Sequence, residues 1–306
     1  MTNNIRTEND IISAWKGGVS NPFVSICCAT YNHEKFVEEA LKGFLIQQTD
    51  FPFEILIHDD ASTDGTTEII REWQKQYPLI IKPVFQTENQ FSTGKKIRQI
   101  LVSYTKGKYI AVCDGDDYWT DPNKLQIQFN FLESNPDYVV SGHDIYYIDA
   151  AGQKFKDTRL QSKYKRDFSG DDVIKGKAWL PNMSCLYRNV ITKFPAERSM
   201  VKNGDIFTLS LLGHFGRSKY HDGIKPAAYR VHSGGIWSMV PKRDRLDAQI
   251  NTHFWMYRYY RRIGDNVYAR YYWRKYLSYV FRATHPMDII KAFFIRIFRW
   301  GWKRNE

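Results

Sequence analysis

Cysteine is scarce in this chain of 306 residues, and the four present (Cys27, Cys28, Cys113 and Cys185) show no C-x-x-C or zinc-type spacing. A disulfide scaffold and a zinc ribbon are thereby excluded. Three of the four lie in apolar runs that read as strands, so reduced thiols in a cytosolic chain are expected. No apolar run approaches the ~18–20 residues that a spanning helix needs. The opening stretch MTNNIRTENDIISAWKGG is polar and lacks the apolar centre of an export signal, so none is expected. No repeat of about 20–50 residues is visible. The first apolar run, Phe23–Thr30, is followed by TYNHEK rather than the G-x-G-x-x-G of a dinucleotide-binding turn, which argues against a Rossmann dehydrogenase. What is present is an ordinary globular composition, 43% hydrophobic and 25% charged, with an unusual 16% of aromatic residues. That excludes a disordered chain, and the length suits one to two domains.

Acidic residues are short in one place. Lys and Arg number 44 against 33 Asp and Glu, a net charge of +11. From residue 241 onward there are 15 Lys/Arg and 5 Asp/Glu, or +10, together with 17 of the 48 aromatic residues. Such asymmetry points to a partner of negative surface, lipid or nucleic acid. Set on a helix at 100° per residue, Met287–Lys303 places Arg296, Arg299 and Lys303 in one stripe. Ile289, Ile290, Phe293, Phe294, Ile297 and Trp300 fall opposite. This is the pattern of a helix lying in an anionic membrane surface, the alternative being a helix packed on the domain.

Strand and helix patterns alternate four times before residue 135. Apolar runs at Phe23–Thr30, Phe53–Ile57, Leu79–Phe85 and Lys108–Cys113 read as strands. Helical periodicity covers Glu34–Ile46, Thr66–Tyr77, Lys95–Tyr104 and Asp121–Glu133. Further strands are expected near 138–148, 183–187 and 227–231, a helix over 206–212, and a helical segment from 241. The prediction is an α/β fold: a Rossmann-type, mostly parallel sheet flanked by helices, with a C-terminal helical extension. In such sheets ligands bind beyond the carboxyl ends of the strands. Tyr31-Asn32, Asp59-Asp60 and Asp114-Gly115-Asp116-Asp117 each follow a strand directly. Three carboxylates within four positions repel one another unless a hard divalent cation such as Mg²⁺ or Mn²⁺ neutralises them; a solvated Asp-rich turn is the bland alternative. Helix capping accounts for Asp64 or Ser62 and leaves Asp59-Asp60 unexplained.

The stretches CATYNHEKFVEEALKGFLIQQ, EILIHDDASTDGT and GKYIAVCDGDDYWTDPNKL together resemble the family-2 glycosyltransferases of GT-A fold, closely over 22–135 and loosely over 180–240. The resemblance implies a GT-A-like catalytic domain over 22–240, with a nucleotide-binding half (22–135) and an acceptor half (136–240). Residues 1–21 then form an extension and 241–306 a basic aromatic tail. It implies inverting, metal-dependent transfer from a UDP-sugar to a glycan or lipid-linked acceptor, with Mn²⁺ or Mg²⁺ as cofactor. Ala29 and Tyr31 match positions lining the uracil site, and Asp60 the carboxylate that recognises the ring, with Asp59 its neighbour. Arg98, nine positions before Gly107, matches a basic residue near the nucleotide, with Lys95 as rival. Asp114 resembles the acid beside ribose or sugar, and Asp116 the metal ligand. Asp205 stands where the family places its base, although Gly204 replaces the acid usual before it. In Tyr229-Arg230-Val231-His232, similar to the family's Y-R-x-H, His232 would reach the metal or the diphosphate.

The expected setting is cytoplasmic, on the inner face of the plasma membrane. A nucleic-acid-binding protein is the alternative from another class, because basic and aromatic residues together suit phosphate contact and base stacking. It leaves all three strand-end clusters idle, two of them acidic, and a crevice lined with acids repels a polyanion, so no nucleic-acid partner is expected. Phosphoryl transfer through an Asp nucleophile would want its acidic motif after the first strand rather than the fourth.

Overall fold

A computed structural model describes residues 5–16, 18–19, 21–158, 160–235 and 239–284; the expected interfacial helix over 287–303 lies outside the described residues. Contacts divide the chain into two compact units, Met1–Phe194 with Leu209–Ser238, and Pro195–Thr208 with Met239–Glu306.

The first unit opens with α1 (Glu8–Ser13), set by a reciprocal cap between Thr7 and Asp10. Ile11 and Trp15 join the main core, and Trp15 meets Phe53 edge-on at 5.3 Å. The alternating region follows in order: β1 (Val24–Thr30), α2 (Val37–Leu45), β2 (Phe53–Asp59), α3 (Thr66–Gln76), β3 (Ile81–Phe85), α4 (Ile97–Tyr104), β4 (Tyr109–Val112) and α5 (Lys124–Ser134). Less regular chain adds β5 (Tyr138–His143), β6 (Ile145–Ile148), β7 (Lys154–Lys156), α6 (Gly170–Ile174) and β8 (Leu186–Arg188). After α7 (Glu197–Met200) and α8 (Gly204–Leu212) come β9 (Arg217–His221) and β10 (Ala227–Arg230).

Seven strands form one sheet in the order β3-β2-β1-β4-β8-β5-β9. Pairs β1/β2, β2/β3, β1/β4 and β5/β9 are parallel, and only β8 runs against its neighbours β4 and β5. β10, β6 and β7 make a second, three-stranded sheet. Strand side chains alternate between faces, and the sequence uses both. Val24, Ile26, Cys28, Ile55, Ile57 and Ala111 enter the cluster under α1, α2, α3 and α5. Cys27, Leu56, Ile110 and Val112 enter a second cluster with Leu101 of α4. Two covered faces explain why these strands read as continuous apolar runs. All four cysteines are buried thiols outside any disulfide.

The second unit holds α7, the first turn of α8, and the hairpin α9 (Lys242–Arg262) and α10 (Asn266–Ala283). Its seam is aromatic: Tyr260 stacks on Tyr272 at 5.5 Å, with Met256 fully buried and Ala269 nearly so. Among the described residues no helix is long and apolar enough to cross a membrane.

Candidate active site

Because β1, β2 and β4 are parallel, the turns that follow them share one rim; Thr30 pairs with Asp59 and Cys27 with Val112. The turn after β1 and the turn after β2 are tied together. Asn32, at φ 54°, donates its N–H to Ser62 Oγ (2.9 Å) and accepts on Oδ1 from the Thr63 N–H (2.8 Å). His33 N–H donates to Thr66 Oγ1 (2.8 Å) and Glu34 N–H to Asp64 Oδ2 (3.1 Å). Asp64 also accepts from the Thr66 N–H at 3.0 Å, so the capping expected of it is divided between two elements.

Asp59 and Asp60 are 2% and 3% exposed, and the structure gives both a local role that capping did not. Asp59 accepts from the Ser62 N–H (3.2 Å) and from the hydroxyls of Ser62 and Thr67, folding its turn onto α3. Asp60 accepts the backbone N–H groups of Gln90 (2.8 Å) and Phe91 (2.9 Å), anchoring the loop after β3. Two of the roughly four lone-pair positions of the Asp60 carboxylate are thus occupied. Ala29 pairs with His58 across β1 and β2, and Tyr31 stands exposed at the rim. Burial holds His58 below the usual histidine range, and neither ring nitrogen has a protein partner. The two basic candidates separate. Arg98 Nη2 donates to Asp114 Oδ1 (3.0 Å) and Nη1 to the Cys27 carbonyl (3.3 Å), whereas Lys95 donates to the side chain of Gln90 at 2.5 Å. Close packing raises the Asp114 carboxyl above the ordinary range, against the field of Arg98.

The turn after β4 needs its glycine: a Cβ on Gly115 would overlap Thr30 Cγ2 and stand 3.2 Å from His33 Nδ1. It then runs to β10. Tyr118 and Ala228 form an antiparallel bridge, and the Arg230 N–H donates to Asp117 Oδ1 at 2.8 Å. Two residues beyond β10, His232 Nε2 is thereby brought to 3.1 Å from Asp116 Oδ2, and His33 Nε2 lies 3.9 Å from the same oxygen. Burial disfavours the Asp116 anion, but the His232 hydrogen bond and the fields of both histidines outweigh it, so its carboxyl falls below the usual range.

One ligand atom from each of His33, Asp116 and His232 lies within 4.8 Å of the others, the one such group found among the described residues. Ligands about 2.1 Å from an octahedral ion stand ~3 Å apart as neighbours and ~4 Å apart when opposite, and the two spacings to Asp116, 3.1 Å from His232 and 3.9 Å from His33, lie within that range. His33 is the residue that sequence reasoning missed; its signal was its place directly after T-Y-N at a strand end.

Asp205 belongs to the second unit, where it is exposed in the first turn of α8. The Arg198 guanidinium occupies the space a Cβ on Gly204 would take and donates to Thr208 Oγ1 at 3.2 Å. A cation therefore stands where the resemblance led one to expect an acid.

The family profile described as Glycosyl transferase family 2 matches residues 25–186, from β1 into β8. The chain belongs to glycosyl transferase family 2. An uncharacterized protein of Mycobacterium tuberculosis is 38% identical over 218 residues, covering 70% of this chain and 60% of the relative, so the match leaves a good part of that protein's length aside. A dTDP-rhamnosyl transferase of Shigella flexneri is 34% identical over 143 residues, 46% of this chain and 48% of its own. The glucosyltransferase WfaP of Escherichia coli, named for transfer from UDP-Glc to alpha-D-GlcNAc-diphosphoundecaprenol, is 34% identical over 127 residues, 41% and 47% of the two chains. Among solved structures, TarS of S. aureus with UDP-GlcNAc superposes with a TM-score of 0.57 at 21% identity over 76% of this chain and 66% of its own. That likeness confirms the expected GT-A fold.

Proposed function

We propose that this family-2 enzyme transfers a hexosyl or N-acetylhexosaminyl group from a UDP-sugar to a hydroxyl of a glycan or lipid-linked acceptor. The transfer inverts the anomeric centre, depends on Mn²⁺ or Mg²⁺, and serves surface polysaccharide or glycoconjugate assembly. The observation that carries this reading is the meeting of Asp116, His232 and His33 at the rim where Asp114 pairs with Arg98. TarS in complex with UDP-GlcNAc and the lipid-diphosphate acceptor in the name of WfaP support the donor and acceptor classes.

Asp116, His232 and His33 would hold a divalent ion, which would supply charge stabilisation for a diphosphate leaving group. Ala29, Tyr31 and Asp60 bound the base, with Asp59 shaping the wall beside them. Arg98 holds Asp114 in the orientation that meets ribose or sugar, and Lys95 fixes the adjacent loop through Gln90. Asp205 takes the proton of the acceptor hydroxyl as the base. The enzyme works in the cytoplasm against the inner face of the plasma membrane, with 287–303 on anionic lipid.

Thermal melts with UDP, dTDP and GDP, each with and without Mn²⁺, test the reading. UDP with Mn²⁺ is expected to raise the melting temperature, and Asp116→Asn to abolish the rise. A shift with dTDP alone would move the donor class, and no shift with any nucleotide would remove the reading. Asp205→Asn is expected to keep the UDP shift while turnover falls by about 10²–10⁴; near-normal turnover would exclude Asp205 as base.

A further inference from the structure

The α9–α10 hairpin carries a surface that sugar transfer does not use. Its inner face is consumed by the aromatic seam, with Tyr272 fully buried. At 100° per residue, Val267, Arg270, Trp273, Arg274, Leu277 and Phe281 all fall within an arc of about 120° on the other side of α10. Three of its apolar members stand out of the protein, Val267 at 69% exposed, Phe281 at 54% and Trp273 at 39%, while Leu277 is half-buried between them.

Charge on this element is one-sided. Asn266–Ala283 holds four cations and no acid. Arg270, Arg274 and Arg282 make no ion pair with any described residue; Arg282 lies over the ring of Tyr279. Over 239–284 ten Lys/Arg face three Asp, a surplus of seven.

We propose that the outer face of α10 docks on an anionic lipid bilayer. Interleaved arginine and apolar residues, with a tryptophan between them, match a headgroup layer, where guanidinium groups meet phosphate and the rings sink to the acyl boundary. A second copy of this face would bring like charges together. Nucleic acid would use the arginines but gain nothing from Val267 or Leu277. The proposal deepens the membrane reading of 287–303 by adding a contact on a folded element, and it does not rest on that segment.

Co-sedimentation of the full chain with phosphatidylglycerol-containing vesicles and with pure phosphatidylcholine vesicles tests it. Binding is expected to the anionic vesicles alone and to vanish at about 1 M salt, where the screening length is ~3 Å. Replacing Arg270, Arg274 and Arg282 by Gln together should weaken partitioning on the order of a hundredfold. Trp273→Ser with Phe281→Ser should weaken it further and remove a blue shift in tryptophan emission on binding. Each variant should retain the wild-type UDP and Mn²⁺ melting shift, so failure here is separable from failure of the transferase reading. Unchanged vesicle binding in the Arg variant would overturn the proposal. So would binding lost only when Arg296, Arg299 and Lys303 are changed to Gln, which would assign the whole contact to 287–303. Salt-sensitive RNA binding without vesicle binding, or a dimer dissolved by Trp273→Ser, would overturn it equally.

Discussion

His33 stands three residues beyond β1, with its Nε2 3.9 Å from Asp116 and its buried Nδ1 without a protein partner. Its backbone is fixed by Thr66 and by the tight turn in which the N–H groups of Phe36 and Val37 both reach the His33 carbonyl (2.9 and 2.8 Å). A ring so held, with nothing else to bond, is poised as a ligand. His33→Gln is therefore expected to raise the Mn²⁺ concentration needed for half-saturation by about tenfold or more. The melting temperature without metal should stay close to wild type; manganese EPR titration beside a thermal melt reads both. A lone histidine in sequence says little, which is why this residue stayed unmarked while Asp116 and His232 were singled out through the resemblance. The acidic pair shows the converse limit. Asp59 and Asp60 are conspicuous in the chain, yet the partners that occupy Asp60, the N–H groups of Gln90 and Phe91, lie some thirty residues on in an irregular loop.

Among the elements, the four strand–helix alternations were legible because each buries two strand faces or one helix stripe, and those periods survive in the residue pattern. Ends moved where a local turn won, as at α2, which starts at Val37 because His33–Phe36 is spent on the turn. The stretch 138–148, read as one region, is two strands in different sheets. The break falls at Asp144, whose carboxylate accepts the N–H groups of Ile145 (2.8 Å) and Leu160 (3.2 Å). The insertion of β8 against β4 and β5 has no local signature, since antiparallel pairing depends on which strands meet. β10 shows what an element adds to the site. Arg230 Nε donates to the Asp116 carbonyl (3.0 Å), its Nη1 to the carbonyls of Asp149 (3.3 Å) and Ala150 (3.4 Å), and its Nη2 pairs with Glu39 of α2. One buried fork thus holds the turn after β4, α2 and the β6–β7 connection. Arg230→Lys keeps the charge opposite Glu39 and loses the fork. It is expected to cost about 1–3 kcal/mol of stability and to weaken Mn²⁺ binding, while Arg230→Met should cost more. Denaturant melts and metal titration on the same samples check both; a stability loss with unchanged metal affinity would confine Arg230 to scaffolding.

Taken whole, the molecule buries an unusual set of bases, and their combined titration fixes where it is most stable. Burial lowers His143 to about 3 and both His221 and His253 to about 4, from an ordinary 6.5. The unfolded chain then binds protons below about pH 6.5 that the folded chain refuses until about pH 4, so stability falls as pH drops through that window. Lys124 extends the slope upward. It lies fully buried over the Trp119 ring at 4.0 Å, bonded to Gln128 Oε1, and burial lowers it from 10.5 to about 7. Between those values the unfolded chain carries the extra proton, so stability rises with pH, by up to about 1.4 kcal/mol per pH unit. The thiols act in the opposite sense. Cys27 is pushed from 9.0 to about 12, so above pH 9 the unfolded chain loses a proton that the folded chain keeps, and stability falls again. The opposing slopes place the optimum at about pH 8–9, on the alkaline side of the usual range. Urea midpoints measured from pH 5 to 10 should show that maximum, and Lys124→Met should flatten the rise between about pH 7 and 9 and make the acid limb shallower, because the Lys124 charge helps to hold His143 and His221 down. A rise of equal slope in Lys124→Met would mean that another group carries it.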